Sequence, residues 1–386
     1  MRDLIIGIAR PMMRLVGRDE RGVIGVIIAV MIGCGVLLGI GALVIDLGQI
    51  YQNRAELQNG ADAAALAVAS SCAVGGTCTS GAQLPVAQQY ADDNARGTNY
   101  HAAVDQVCGV PLGSCTLPVA TGSMVVCPSA PSNVNYVDVN VSTLTAGGSP
   151  LLAPVFGHFL PGNGGASGAN VKACAQAEWG PADQSRTLAV TISICTWDSL
   201  TAGGGYPYNT DVAIVIHGKN AGSCKGPAGQ TYPGGFDWLC PNTNGSVGAS
   251  CNNNSSCSTN ITLSASGTYY TAQTSTGNRP PPPCNTTIPN DLNTVVYIPV
   301  FQGAITPQGH NTEYLIVGLA AFKLTGWANL NTVSPRSNIP SPEPSGCSGN
   351  DACIFGEFTQ GLVPVSDAVG PPGTGNFGAE AVQLSG

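Results

Sequence analysis

A chain of 386 residues with 9% charged side chains, 51 glycines and 28 prolines must contain a great deal of loop. Its acidity lies after residue 45, where 9 Lys and Arg stand against 19 Asp and Glu, within an overall formal charge of −8. That balance argues against nucleic acid, or an anionic lipid surface, as a partner of the long C-terminal part.

The first informative element is the uncharged run Gly22 to Ile45, GVIGVIIAVMIGCGVLLGIGALVI. As a helix, its 24 residues extend about 36 Å, enough to cross a hydrocarbon core of about 30 Å. Arg10, Arg14, Arg18 and Arg21 precede it and Asp46 follows it. The basic flank orients the chain with the N-terminus in the cytoplasm and the C-terminal part outside. A cleaved signal peptide has a shorter apolar core, about 7–15 residues, followed by a small-residue cleavage site. A lipidation box at Met31-Ile32-Gly33-Cys34 is disfavoured because eleven further uncharged residues follow Cys34. A buried core helix fits neither the length nor the arginines, so the expectation is a membrane anchor.

The next stretch, DLGQIYQNRAELQNGADAAALAVASS, lacks proline and continues the helical pattern. Leu47, Ile50, Tyr51, Leu57, Leu66 and Val68, with Ala55, Ala61, Ala64 and Ala65, fall mostly on one stripe, and Arg54, Glu56, Gln58, Asn59 and Asp62 largely on the other face. Gly60 is the weak point, at about 1 kcal/mol relative to alanine. The alanine stripe needs a cover, supplied either by the rest of the chain or by other subunits.

Arg21-Gly22, the apolar run and VIDLGQIYQNRAELQNGADAAALA together resemble the N-terminal region of Flp/Tad pilus-assembly proteins of the TadE/TadG-like group, TadG-related members included. The group's pattern is matched at Asp46, Gly48, Tyr51, Arg54, Leu57, Gln58, Asp62 and the alanines beyond, while Gly60 replaces an expected alanine. VDVNVSTL, VKACAQAEWG, YPGGFDWLC and VVYIPVFQG with EYLIVGLAAFKLTGW resemble later segments of the same group. Two features depart from it. Ile27 stands five residues after Gly22, where peptidase-processed prepilin-like members carry glutamate, and the Asp-x-Ser-x-Ser metal motif of members with a von Willebrand-type domain is missing. The resemblance implies a pilus context, with the N-terminal helix packed in the bilayer against pilin-like or other pilus-assembly subunits.

Fourteen of the fifteen cysteines follow the apolar run, an even number that reads as a disulfide framework in an exported chain. Cys72/Cys78, Cys251/Cys257 and Cys347/Cys353 share one spacing and are the candidates for local loops, each contributing about 2–3 kcal/mol. Cys108 with Cys115 or Cys127, and Cys174 with Cys195, are further candidates. There is no C-x-x-C and the four histidines lack ligand spacing, so no metal is expected.

Residues 82–95 predict one more helix, and Tyr136–Ser142 alternates as a half-buried strand. The apolar runs Leu188–Cys195, Val212–His217, Asn293–Phe301 and Tyr314–Phe322 predict buried strands. Residues 161–170, 241–290 and 333–350 read as loop, with a polyproline II spacer at 280–283.

The expected fold class is therefore α+β. A cytoplasmic basic tail (1–21), a transmembrane helix (22–45) and an amphipathic stalk helix (46–70) precede a β-rich, loop-rich, disulfide-bonded exported domain (71–366) and a flexible tail (367–386). No nucleophile elbow, zinc-protease motif, phosphate loop or dinucleotide loop occurs, and His101, His158, His217 and His310 are isolated in the sequence. Asp92-Asp93 and the Asp198 and Asp237 neighbours of tryptophan read as surface or turn residues. The expectation is a non-enzymatic, single-pass assembly component with no cofactor, nucleic acid or small-molecule substrate. The alternative is a surface-anchored adhesin or ligand-binding module.

Overall fold

The computed structural model describes residues 20–95, 100–115, 127–145, 147–148, 168, 170–204, 210–217, 238–239, 257–262, 270–273, 283–304, 313–330, 336–364, 369–370 and 374–385. The basic tail before residue 20, Cys251, most of the 241–290 loop and the spacer at 280–282 lie outside them.

The apolar run and the amphipathic stretch form one helix, α1, Glu20–Ala73, whose 54 residues extend about 80 Å. Among the described side chains no helical stretch is long and apolar enough to cross a membrane; those of residues 20–23, 34, 35, 37 and 38 are outside that set. Past Ala73 the chain turns at Gly75, held by Gly76 N–H to Ser71 O at 2.9 Å, and the Cys72–Cys78 disulfide closes the turn. Thr79 then caps α2, Ser80–Asn94, its hydroxyl accepting from the Ala82 N–H, as a helix N-cap requires.

Both helices lie on one face of a five-stranded sheet. It runs β1 (Tyr100–Val110), β2 (Asn135–Thr145), β3 (Lys172–Pro181), β15 (Ala379–Leu384) and β13 (Gly361–Leu362). Period-2 alternation places Val137, Val139 and Val141 of β2 and Ala173, Ala175 and Ala177 of β3 in the core with the α1 alanines. The small side chains on β3 let the helix approach closely. Gln88 of α2 covers the free edge of β1: its Nε2 donates to Ala102 O at 2.6 Å and its Oε1 accepts from Val104 N–H at 2.9 Å. An edge so occupied cannot template a foreign strand there.

The second sheet runs β5 (Ile192–Ser193), β9 (Val295–Ala304), β10 (Glu313–Ala328), β12 (Ala352–Thr359) and β6 (Val212–His217). The 16-residue β10 is its spine and also pairs with β8 (Tyr270–Gln273), β11 (Arg336–Ser337) and β14 (Gly375–Phe377). A two-stranded ribbon joins β4 (Gln184–Leu188) and β7 (Ser258–Thr262). Phe322 meets Phe358 edge-on at 5.1 Å inside this half.

Three expectations need correction. Leu188–Cys195 is not one strand. After β4 and β5 the chain enters helix α3, Ile194–Thr201, because Ser193 Oγ accepts the Thr196 N–H at 3.0 Å and supplies an N-cap that the apolar pattern conceals. Cys174 bonds Cys127 rather than Cys195, which is disulfide-bonded elsewhere, and Cys257 bonds Cys284 rather than Cys251. Cys284 opens the short helix α4, Cys284–Asn290. Cys72–Cys78 and Cys347–Cys353 are bonded as their spacing suggested, and of the two candidates for Cys108 it is Cys115 that bonds it.

The third correction concerns the expected flexible tail at 367–386, within which β14 and β15 are strands. β14 pairs in parallel with β10, and three residues later β15 enters the other sheet antiparallel to β3. Phe377 packs edge-on against Trp197 at 4.9 Å. The C-terminal strands therefore stitch the two sheets together.

Glu380 of β15 is buried and accepts from Asn376 Nδ2 at 2.8 Å. Burial pushes its carboxyl up to about 7, and the Asn376 hydrogen bond only partly opposes this. An acid whose folded pKa exceeds its unfolded value contributes stability that is complete below about pH 4.5 and is lost as pH rises through about 7. Unfolding free energy should therefore fall by roughly 3 kcal/mol from pH 4.5 to 8 through this group. Glu380→Gln, which keeps an acceptor for Asn376, should flatten that part of the profile in urea melts; an unchanged slope would contradict the assignment.

Candidate functional site

The candidate site is α1, because its two halves occupy different surroundings. From Asn53 onward the stripe Leu57, Ala61, Ala64, Ala65, Val68 and Ala69 has no solvent exposure. Steps of three and four put these residues on one side, against α2 and the five-stranded sheet. The chain thus covers its own alanine stripe, and residues 53–70 of the expected stalk pack into the β-rich domain. Before Asn53 the described side chains are exposed or part-exposed, and Ile50 touches the core. Fourteen of the twenty-two large apolar side chains that stay exposed among the described residues fall between Ile24 and Tyr51, with Met31 at 70%. Apolar side chains project all round this half, whereas a helix lying on a soluble domain shows one apolar stripe.

The junction is pinned by polar groups. The Tyr100 hydroxyl of β1 lies 3.2 Å from Asn53 O and 3.1 Å from Glu56 Oε2. Burial and then Glu56 raise its pKa well above the ordinary phenol value, so it remains a donor. One turn further, Gln58 Nε2 lies 3.0 Å from Cys174 O on β3 and 2.8 Å from Asp62 Oδ1.

The motif residues divide between these environments. Arg21 and Gly22 lie in the helix at its start, but their side chains are not among those described. Gly48 and Tyr51 are exposed, and Asp46 and Arg54 are part-exposed, each interacting with a neighbour. Leu57, Gln58 and Asp62 belong to the packed half. Gly60 sits where α2 ends: a Cβ there would lie 2.6 Å from Ala95 Cβ and 2.7 Å from Ala91 O. The departure from alanine thus matches a close helix crossing. Sequence reasoning missed Asn53, Tyr100 and Gln88, for single polar residues that bridge distant segments leave no periodic signal.

Metal or acid–base chemistry has little material among the described residues. Cys108, Cys115 and Asp138 bring two sulfurs and a carboxylate within 4.8 Å of one another, but the sulfurs are bonded to each other, which removes them as thiolate ligands. Asp138 is buried, its carboxyl raised by desolvation and partly lowered again by the hydrogen bond from Gln176 Nε2 at 2.9 Å. His101 pairs with Asp92 at 3.2 Å on the surface.

No curated protein and no solved structure matches the chain. Residues 25–71, the apolar half of α1 and nearly all of its packed half, match the family model for Flp pilus-assembly TadE/G-like proteins, and the chain carries this Tad segment at its N-terminal end.

Proposed function

We propose that the protein is a membrane-anchored, minor-pilin-like structural component of a Flp/Tad-type pilus or related secretion system. The observation that carries this reading is the continuous helix that is apolar on every side before Asn53 and locked into a domain core after it. A rigid rod of this kind suits a bilayer at one end and a displayed domain at the other. The basic residues ahead of the run favour a cytoplasmic N-terminus, and the disulfides favour an oxidising exterior for the rest. Contact with pilin-like helices would then run through residues 24–51, not through the alanine stripe, which the chain itself occupies.

Photo-crosslinking residues at Leu43, Leu47 and Tyr51 test this, since all three are exposed and none packs in the core. Adducts with pilin or pilus-assembly subunits in membrane fractions are expected. A freely soluble mature protein, or adducts confined to lipid in cells assembling pili, would overturn the reading.

A further inference from the structure

Beyond the helix, one cleft holds two opposite charges that do not touch. It has a volume of about 400 Å³, within the roughly 300–1,000 Å³ of ligand pockets, and lies between β4, α4 and β9. Arg186 and Asp291 both line it. Arg186 spends Nε on Ser258 Oγ at 2.8 Å and, among the described residues, comes within 4 Å of no carboxylate. The Asp291 carboxylate is half-buried and receives no hydrogen bond from a described donor. Burial raises its pKa and the field of Arg186 partly opposes this, so the two charges sense each other across the cleft without a direct hydrogen bond. Leu188 and Val296 add buried apolar wall. The Cys257–Cys284 disulfide ties the start of β7 to α4, so the two sides of the cleft are joined covalently.

We infer that this cleft binds a zwitterionic ligand of the free α-amino acid class, with the carboxylate on the Arg186 guanidinium, the ammonium on Asp291 and an apolar side chain against Leu188 and Val296. A guanidinium with unused N–H groups matches a carboxylate fork, and a half-buried carboxylate without a donor matches an ammonium. A single anion would leave Asp291 without a hydrogen-bonded partner and a single cation would leave the rest of the Arg186 fork unused, whereas one zwitterion serves both. The inference stands on the cleft alone and is independent of the pilus reading.

Isothermal titration of the full chain in detergent with L-valine tests it, alongside N-acetylvaline, which lacks the ammonium, and valinamide, which lacks the carboxylate. Valine should bind, and each blocked form should bind at least about tenfold more weakly. Arg186→Met and Asp291→Asn, both near the surface, should each weaken valine by a similar factor without changing the melting temperature. Absence of valine binding would overturn the assignment. So would equal binding of the blocked forms, or a loss of stability in both variants with no change in affinity, which would mark a purely structural pair.

Discussion

A chain ending at residue 366 is expected to lose cooperative folding rather than shed a frayed end. The deletion removes β14 and β15, and β15 is flanked by β3 on one side and β13 on the other. Backbone groups of β3 now paired with β15 would be stripped of partners, and Ala379 and Ala381 would leave the core. Phe377 would vacate its place against Trp197, and Phe→Ala at a buried site alone costs about 3–5 kcal/mol. Set against a typical net stability of about 5–15 kcal/mol, the combined loss leaves little margin. Phe377→Ala should therefore lower the unfolding free energy by about 3–5 kcal/mol, and the truncated chain should show no sharp thermal transition by circular dichroism. A truncated chain that melts like the full one would show that the two sheets do not depend on their C-terminal stitch.

Gly60→Ala should destabilise the protein although alanine is the better helix former. Propensity alone predicts a gain of about 1 kcal/mol. The added methyl would overlap Ala95 Cβ and the Ala91 carbonyl, at 2.6 and 2.7 Å, and the second of these is backbone that cannot rotate aside. Overpacking of this kind costs about 1–3 kcal/mol, so the net change should be a loss. Gly48→Ala provides the contrast, because a Cβ there meets nothing within 4 Å and only the propensity gain remains. Urea unfolding of the two variants should move in opposite directions. Stabilisation by both would mean that the end of α2 yields and that the close crossing is not rigid.

How much of this was legible depended on whether a segment declares its role locally. The α1 pattern did, since charge-free length and the Asp46–Asp62 motif are properties of consecutive residues. So did Val212–His217 and Tyr136–Ser142, whose apolar runs or alternation survive as β6 and most of β2. Leu188–Cys195 misled because a β-branched run says nothing of the serine hydroxyl that redirects the chain into α3. β15, AEAVQL, is short, small and carries a glutamate, so nothing in it announces a strand between two others. The cysteines divide the same way. The pairs Cys72–Cys78 and Cys347–Cys353 could be read from spacing and Cys108 was narrowed to two partners, but Cys127–Cys174 and Cys257–Cys284 are fixed by which segments lie side by side. The junction residues Asn53 and Tyr100, 47 positions apart, were invisible for that reason too.

The stitch made by β15 also sets a timetable. Its neighbour β3 lies about two hundred residues upstream, and the helix stripe beneath that sheet lies further back still. Until β15 has been synthesised, the sheet beneath α1 stays unfinished, and contacts of such long range form slowly. Until then the alanines and valines of that sheet and of the α1 stripe lack their full cover.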